Sequence, residues 1–384
     1  MVTRFKMPEG KYAKLGLDVI EGKAVKGIPA WLINPMEHAH IDRLAGEPEG
    51  SYRKNPVPVY TKMLLNSGCS LIDQFIPDNP LSMGSHGYEE DAKTRENATA
   101  GNKEIILDGM KIDTPEAMVE HMQKFYFPAL KKKIEGYDIE TVIERIVALE
   151  ISEQAKLGSE MLKVPYAHQD FPRLAYGTYG YENYFMGFAL FPDIIQEQFK
   201  LEAEYAAKSN TALARAHTEG GLPKLLRLDH DMADQKGTLV DIKVLDKIWF
   251  PHFASSIKPL IKAGVKLIWH CDGYLMEMFP RLLECGLSGF QGFQYEYGME
   301  YLKICKMKTK TKEEPFIIAG VSVTTTLPFG KPEDIKKEMK FLVENGPKQG
   351  LVLGGSSSIA PGVSWENMKV FTEGLRYYRE QGRK

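Results

Sequence analysis

Residues 266–273 read KLIWHCDG, a short apolar run closed by polar residues and a glycine. That is how a buried strand ends, and the same grammar recurs on both sides of it. LLRLDHD (225–231), SGFQGFQYE (288–296), FIIAGVSV (316–323) and GLVLGGSSS (350–358) all climb through apolar residues into small or polar ones. Helical patterns lie between them, for example PEDIKKEMKFLVENG (332–346), with proline at its start and glycine at its end. Strand–helix alternation of this kind predicts a parallel sheet. No G-x-G-x-x-G follows a first strand and no G-x-x-x-x-G-K-[ST] occurs, so an open nucleotide-binding sheet loses its best support. The expected class is α/β, a (β/α)8 TIM-type barrel.

Working outward, residues 1–60 form an N-terminal extension rich in proline, glycine and charge, within which IPAWLI (28–33) reads as a short strand. VYTKMLLNSG (59–68) is helical and stops at Gly68; SLIDQFIP (70–77) is a buried strand, and DNPLSMGSHG (78–87) is the polar loop after it. A helical insertion spans 114–160. Thr114 is its N-cap, Pro115 its first helical position, and IETVIERIVALEISEQAKL (139–157) carries apolar residues at helical period. The aromatic stretch 175–188 precedes a helix expected over Pro192–Ala216. Nothing resembling a linker interrupts the chain, so 1–384 is read as a single domain.

Composition narrows the function. The charges nearly cancel, 49 basic against 51 acidic, and no basic stripe stands out, which argues against nucleic acid and anionic membrane surfaces. No apolar run approaches the roughly 20 residues that span a bilayer. The opening MVTRFKMPEGKYAKLG lacks the apolar centre of a signal peptide, and the four cysteines form no C-x-x-C pair. A soluble cytoplasmic protein with free thiols is expected.

In a parallel barrel the C-terminal strand ends converge on one mouth. His270 and Asp272 stand at i and i+2, so a continuing strand would turn both inward and Cys271 away. Such a pair binds a divalent metal or works as an acid–base pair; its bland reading is a buried strand-end cap. Asp229-His230-Asp231 either binds substrate or caps the next helix, and Glu296 either completes a metal site with His270 and Asp272 or is solvated. Asp78, with Asn79 beside it, is a catalytic candidate or a turn residue. Ser322 and the Gly354–Ser358 run, Ser357 within it, can approach a ligand closely. Tyr179 and Tyr181 line a pocket or pack the core. His38 and His40, alternating near Asp42, either bind metal or lie on an exposed loop, the expected reading, and Cys69, Cys285 and Cys305 are expected as packing thiols.

The order L-x-L-D-x-D (226–231), W-H-x-D-G (269–273) and E-x-G-x-x-G (284–289) resembles the uroporphyrinogen decarboxylase superfamily. So do G-V-S-V-x-x-x-L-P-x-G-x-P-E-D (320–334) and LVLGGSSSIAPGVSWEN (351–367). The resemblance covers about 165–380. It implies a distorted (β/α)8 barrel and one of two chemistries. The decarboxylases work without metal through an aspartate, near the place of Asp78, and an R-Q-A-G-R motif, where this chain has INPMEHAHIDR (33–43). The other branch moves methyl groups between small molecules and corrinoid proteins, and its thiol-methylating members hold zinc through H-x-C and a later G-C-G. His270 matches the first zinc ligand; Asp272 and Ser357 stand at or near the two cysteines. That departure removes the thiolates and leaves a harder set of His270, Asp272 and Glu296, suited to an oxygen substrate. The resulting expectation is a corrinoid-dependent methyltransferase acting on a methylated, for instance methoxylated, compound. His270, Asp272, Asp229 and Asp78 are its catalytic candidates. Asn79, His230, Tyr179, Tyr181, Ser322 and Ser357 are its substrate-binding candidates. The implied cofactors are zinc or another divalent metal, and cobalamin on a partner protein, with a homodimer left open. A metal-free decarboxylase or lyase and a non-catalytic ligand-binding barrel are the alternatives.

Overall fold

The computed structural model describes residues 3–77 and 104–383. Numbering strands in chain order, β5 (Leu225–Asp229), β6 (Lys266–His270), β7 (Gly289–Gln291), β8 (Phe316–Val321) and β9 (Leu351–Gly355) form one parallel sheet in sequential order. These are the five runs singled out in the sequence. Their registers bring strand ends level: Asp229 faces His270, Gln291 faces Ile318 and Val321 faces Gly355.

The pairing continues past β9. Ala30, inside IPAWLI, bridges Leu353 on one side and Cys69 on the other, both in parallel. Beyond it β1 (Leu71–Ile72) pairs in parallel with β4 (Leu162–Lys163). Counting the segment through Ala30, eight parallel segments follow one another from β4 round to β5 among the described residues. Between β4 and β5 the contact that is seen is a side-chain one: Gln169 Nε2 donates to the Arg227 carbonyl at 2.9 Å. The short hairpin β2 (Ile106–Leu107) and β3 (Met110–Lys111) stands apart.

Strand periodicity of two sends alternate side chains inward. Trp31, Leu71, Leu225, Ile268 and Ile318 meet round a central cavity of about 10 Å³, so the interior is a packed core with room for one water at most. Asp73 and Arg227 border the same cavity. On the outer face of β6, Trp269 packs edge-on against Trp249 and Phe253, beneath the helix Phe250–Lys262.

Helix boundaries follow the local signals. Pro56–Ser67 stops at Gly68, which is left-handed. Thr114 accepts from the Ala117 N–H at the start of Pro115–His121, and Pro332–Asn345 begins at its proline. The predicted Pro192–Ala216 helix runs to Thr218. The aromatic stretch forms two helices, Tyr176–Tyr179 and Tyr181–Leu190. One expectation is corrected: His38–Ala45 is helical, not an exposed loop. His40 is buried with Nε2 on the Val363 carbonyl at 2.7 Å, and buried Asp42 accepts from the Gly50 and Tyr52 N–H groups. Those backbone partners lie downstream, where local sequence does not announce them. No helix among the described residues is long and apolar enough to cross a membrane.

Candidate active site at the strand ends

Leu225, Arg227 and Asp229 share the inward face of β5, which carries an arginine into the core beside the central cavity. Arg227 is 2% exposed. Its Nε donates to Asp73 Oδ2 at 2.6 Å and its Nη1 to Asp229 Oδ2 at 2.7 Å. The guanidinium also lies 4.8 Å from the Tyr166 ring centroid. Asp73, one residue past β1, is fixed in turn: its Oδ1 accepts from Trp31 Nε1 at 3.3 Å and from the Gln74 N–H at 2.6 Å. Two carboxylates thus flank one buried cation, and neither charge is stranded.

His270 ends β6 directly beside Asp229. Its Nδ1 lies 3.2 Å from the Gln291 carbonyl, an acceptor, so that nitrogen carries a proton and Nε2 is the atom available for chemistry. Burial works against ionisation of Asp229, but the charges of His270, Arg227 and Arg173 outweigh it and hold the carboxyl below the ordinary value. Arg173 is tied in by Nη1 donating to the Asp229 carbonyl at 3.0 Å. Asp229 is therefore a fixed anion next to a histidine.

Polar atoms are left over at this end of the sheet. Arg227 Nη2, Gln291 Oε1 and both amide atoms of Asn34 are buried without hydrogen-bond partners. Gln291 Nε2 does have one, the Ser356 carbonyl at 3.1 Å. Buried polar groups are nearly always paired in folded proteins, so orphans gathered at strand ends mark where a ligand or water binds.

The residues anticipated from sequence separate into those the fold brings here and those it does not. Asp229 and His270 arrive together. Asp272 does not continue the alternation, because β6 stops at His270 and the chain turns. Gly273 enforces that turn at φ +97°; a Cβ there would sit 2.5 Å from the Asp234 carbonyl oxygen. Cys271 is buried, its Sγ accepting from the Met232 N–H at 3.3 Å, and burial pushes its thiol well up, so it is an unreactive packing group.

The expected metal set of His270, Asp272 and Glu296 is not seen gathered among the described residues. Glu296 is exposed on the turn Tyr295–Tyr297 after β7, where it accepts from Thr324 Oγ1. Among the described residues no three His, Cys, Asp or Glu side chains stand together as metal ligands. The zinc implied by the resemblance does not fit the residues this chain places here.

His230 is not a helix cap; Asp241 caps the next helix. His230 Nε2 accepts from the Leu174 N–H at 2.9 Å, and burial with the nearby Arg173 charge holds its pKa down to about 3. It is a neutral brace for the segment that carries Arg173. Tyr179 is buried in the helical layer with its hydroxyl 3.1 Å from His121 Nδ1. Tyr181 is exposed and packs 4.6 Å from the Tyr176 ring. Ser322 joins a hydroxyl cluster with Thr324 and Thr325 beside a lateral cavity, and Ser357 is half-buried in the turn after β9. Asp78 and Asn79 lie outside the described residues.

Sequence reading passed over Asp73, Arg227 and Asn34. A signal existed for two of them, since Arg227 interrupts LLRL and Asp73 interrupts SLIDQFI at inward-facing positions. A charge inside an apolar strand run needs a partner, and here each is the other's.

No family model and no curated protein matches the chain. Among solved structures, a methyltransferase from Methanosarcina mazei aligns over 96% of this chain and 99% of its own, at 18% identity and a TM-score of 0.56. The chain shares that protein's fold. A candidate vitamin-B12-independent methionine synthase from Listeria monocytogenes aligns over 98% of this chain and 96% of its own, at 14% identity and a TM-score of 0.42. A B12-independent methionine synthase from a Shewanella species covers 48% of this chain and 55% of its own, at 13% identity and a TM-score of 0.33. Fold alone does not fix chemistry, which rests on the strand-end residues themselves.

Proposed function

We propose that the chain is one barrel domain, closed between β4 and β5, that removes a methyl group from a small oxygen-linked compound at the strand-end mouth. The methyl acceptor would be the cobalt of a separate corrinoid protein. The observation that carries this reading is the strand register that sets ionised Asp229 beside His270, among buried polar atoms that lack partners. The motif resemblance to corrinoid-dependent methyltransferases and the full-length likeness to the Methanosarcina fold support it.

In this scheme the bond that breaks joins the methyl carbon to oxygen. The acceptor supplies the electron pair for the new bond to carbon, and the oxygen keeps the old pair. His270, charged and balanced by Asp229, delivers its Nε2 proton to that oxygen, leaving an alcohol or phenol. Nδ1 keeps its own proton, donated to the Gln291 carbonyl throughout, which fixes the ring. Arg227 holds Asp229 in place, and Arg227 Nη2 with Gln291 Oε1 is available to orient the substrate. No step requires zinc.

The test is a panel of methoxylated aromatic and aliphatic compounds incubated with the protein and a reduced corrinoid protein. The expected result is methylation of the corrinoid together with release of the hydroxy product. Absence of transfer across the whole panel would remove this reading.

A further inference from the structure

Outside the strand-end cluster the structure holds a second cavity, of about 520 Å³, lined by none of Asp73, Arg227, Asp229 and His270. Its size is that of a pocket for a small organic molecule. Met299, Tyr301, Phe341 and Leu342 supply its apolar walls, between the helices Tyr301–Cys305 and Pro332–Asn345. The rim is apolar too: Leu302 is 45% exposed and Phe341 42% exposed. Exposed apolar side chains at the mouth of a concave site are a mark of ligand binding rather than of stability.

The polar end of the cavity is acidic. Glu338 lines it, with Oε1 accepting from the Ser322 N–H at 2.9 Å. Its neighbours there are the neutral donors of Ser322 and Thr326, with the like charge of Glu296 near, and no ion pair reaches it among the described residues. Burial and that like charge push its carboxyl upward, the direction that a cation in the cavity would reverse. Glu300, also on the lining, pairs with Lys303 at 3.4 Å, so the one lysine of the lining has a carboxylate partner other than Glu338. An apolar, tyrosine- and phenylalanine-walled pocket that ends on a carboxylate without a countercharge is complementary to an organic ammonium ion, whose charge meets the acid and the ring faces.

We propose that this lateral cavity is a binding site for a small organic amine in its ammonium form, with the charge against Glu338 and the apolar body against the adjoining rings of Tyr301 and Phe341. The site is separate from the strand-end chemistry and does not depend on the methyl-transfer reading.

Phenethylammonium is a suitable probe, with neutral 2-phenylethanol and anionic 3-phenylpropanoate as same-shape comparisons, titrated calorimetrically at pH 8. Phenethylammonium is expected to bind, the alcohol about tenfold more weakly, and the carboxylate not measurably. Glu338→Gln keeps an acceptor for the Ser322 N–H and should weaken the amine about tenfold while leaving the alcohol unchanged. Phe341→Ala, at a partly exposed position, should weaken both. His270→Ala should leave amine binding intact, which separates this site from the mouth. No binding of phenethylammonium at millimolar concentration, equal binding to the Glu338→Gln protein, or binding of the carboxylate as tight as the amine would overturn the proposal.

Discussion

Arg227 occupies the centre of the strand-end cluster, with Asp73 on one nitrogen and Asp229 on another. Replacing it by methionine keeps much of the volume but leaves two carboxylates facing each other. Asp73 is the more deeply buried of the two, 5% exposed, so the larger penalty falls there. Arg227→Met should destabilise the protein by about 3 kcal/mol, as removal of one partner from a buried pair does. Asp73→Asn combined with Arg227→Met should cost less than the two changes summed, by more than about 1 kcal/mol, because the pair is lost only once. Urea unfolding of the four proteins in the cycle measures this. Strict additivity would mean that the pair contributes nothing as a pair.

The residue scale is also where sequence and structure diverge most. His270 was legible from KLIWHCDG, and Asp229 from LLRLDHD. The i,i+2 argument that joined His270 to Asp272 assumed two more residues of strand. Gly273 turns the chain after β6, and the aspartate in register with His270 is Asp229 on the neighbouring strand. Register between strands is a tertiary fact, so no spacing within one strand reveals it. Asn34 gave no signal at all: it lies in a segment tied to its neighbours only by isolated bridges, at Ala30 and Pro35.

Among the elements, the long helix Pro192–Thr218 carries the clearest pH-sensitive group. Glu202 accepts from the Arg173 N–H at 2.8 Å, from Gln198 Nε2 at 2.8 Å and from Tyr126 Oη at 2.7 Å. Burial nevertheless pushes its pKa up to about 7, against those hydrogen bonds and the Arg173 charge. A carboxyl raised on folding binds more protons in the folded state, so stability falls as pH rises from about 4.5 to about 7. Glu202 keeps partial access to solvent, which limits the effect to a few degrees of Tm. Glu202→Gln should flatten the decline between pH 5 and pH 8 and raise Tm at the upper end. An unchanged decline in thermal scans would assign it to other groups. The helices themselves were largely readable, because caps and prolines act locally: Thr114, Pro192 and Pro332 each stand where the helix begins. The helix at His38 was not, because buried His40 finds its partner, the Val363 carbonyl, far along the chain.

For the whole molecule, five strand runs in sequence became five adjacent parallel strands, since strand–helix alternation leaves few other arrangements. The remaining segments, at Ala30, β1 and β4, are too short for periodicity to reveal, and they place Asp73 opposite Arg227. What the mouth can do turns on which aspartate serves His270. Single-turnover methyl transfer from a reactive methoxy compound, compared in the wild type, Asp229→Asn and Asp272→Asn proteins, decides it. If Asp229 is the partner, its replacement slows the step by a factor of about 10² or more while Asp272→Asn stays within a few-fold of wild type. Loss on changing Asp272, with Asp229→Asn unaffected, would contradict the site described above.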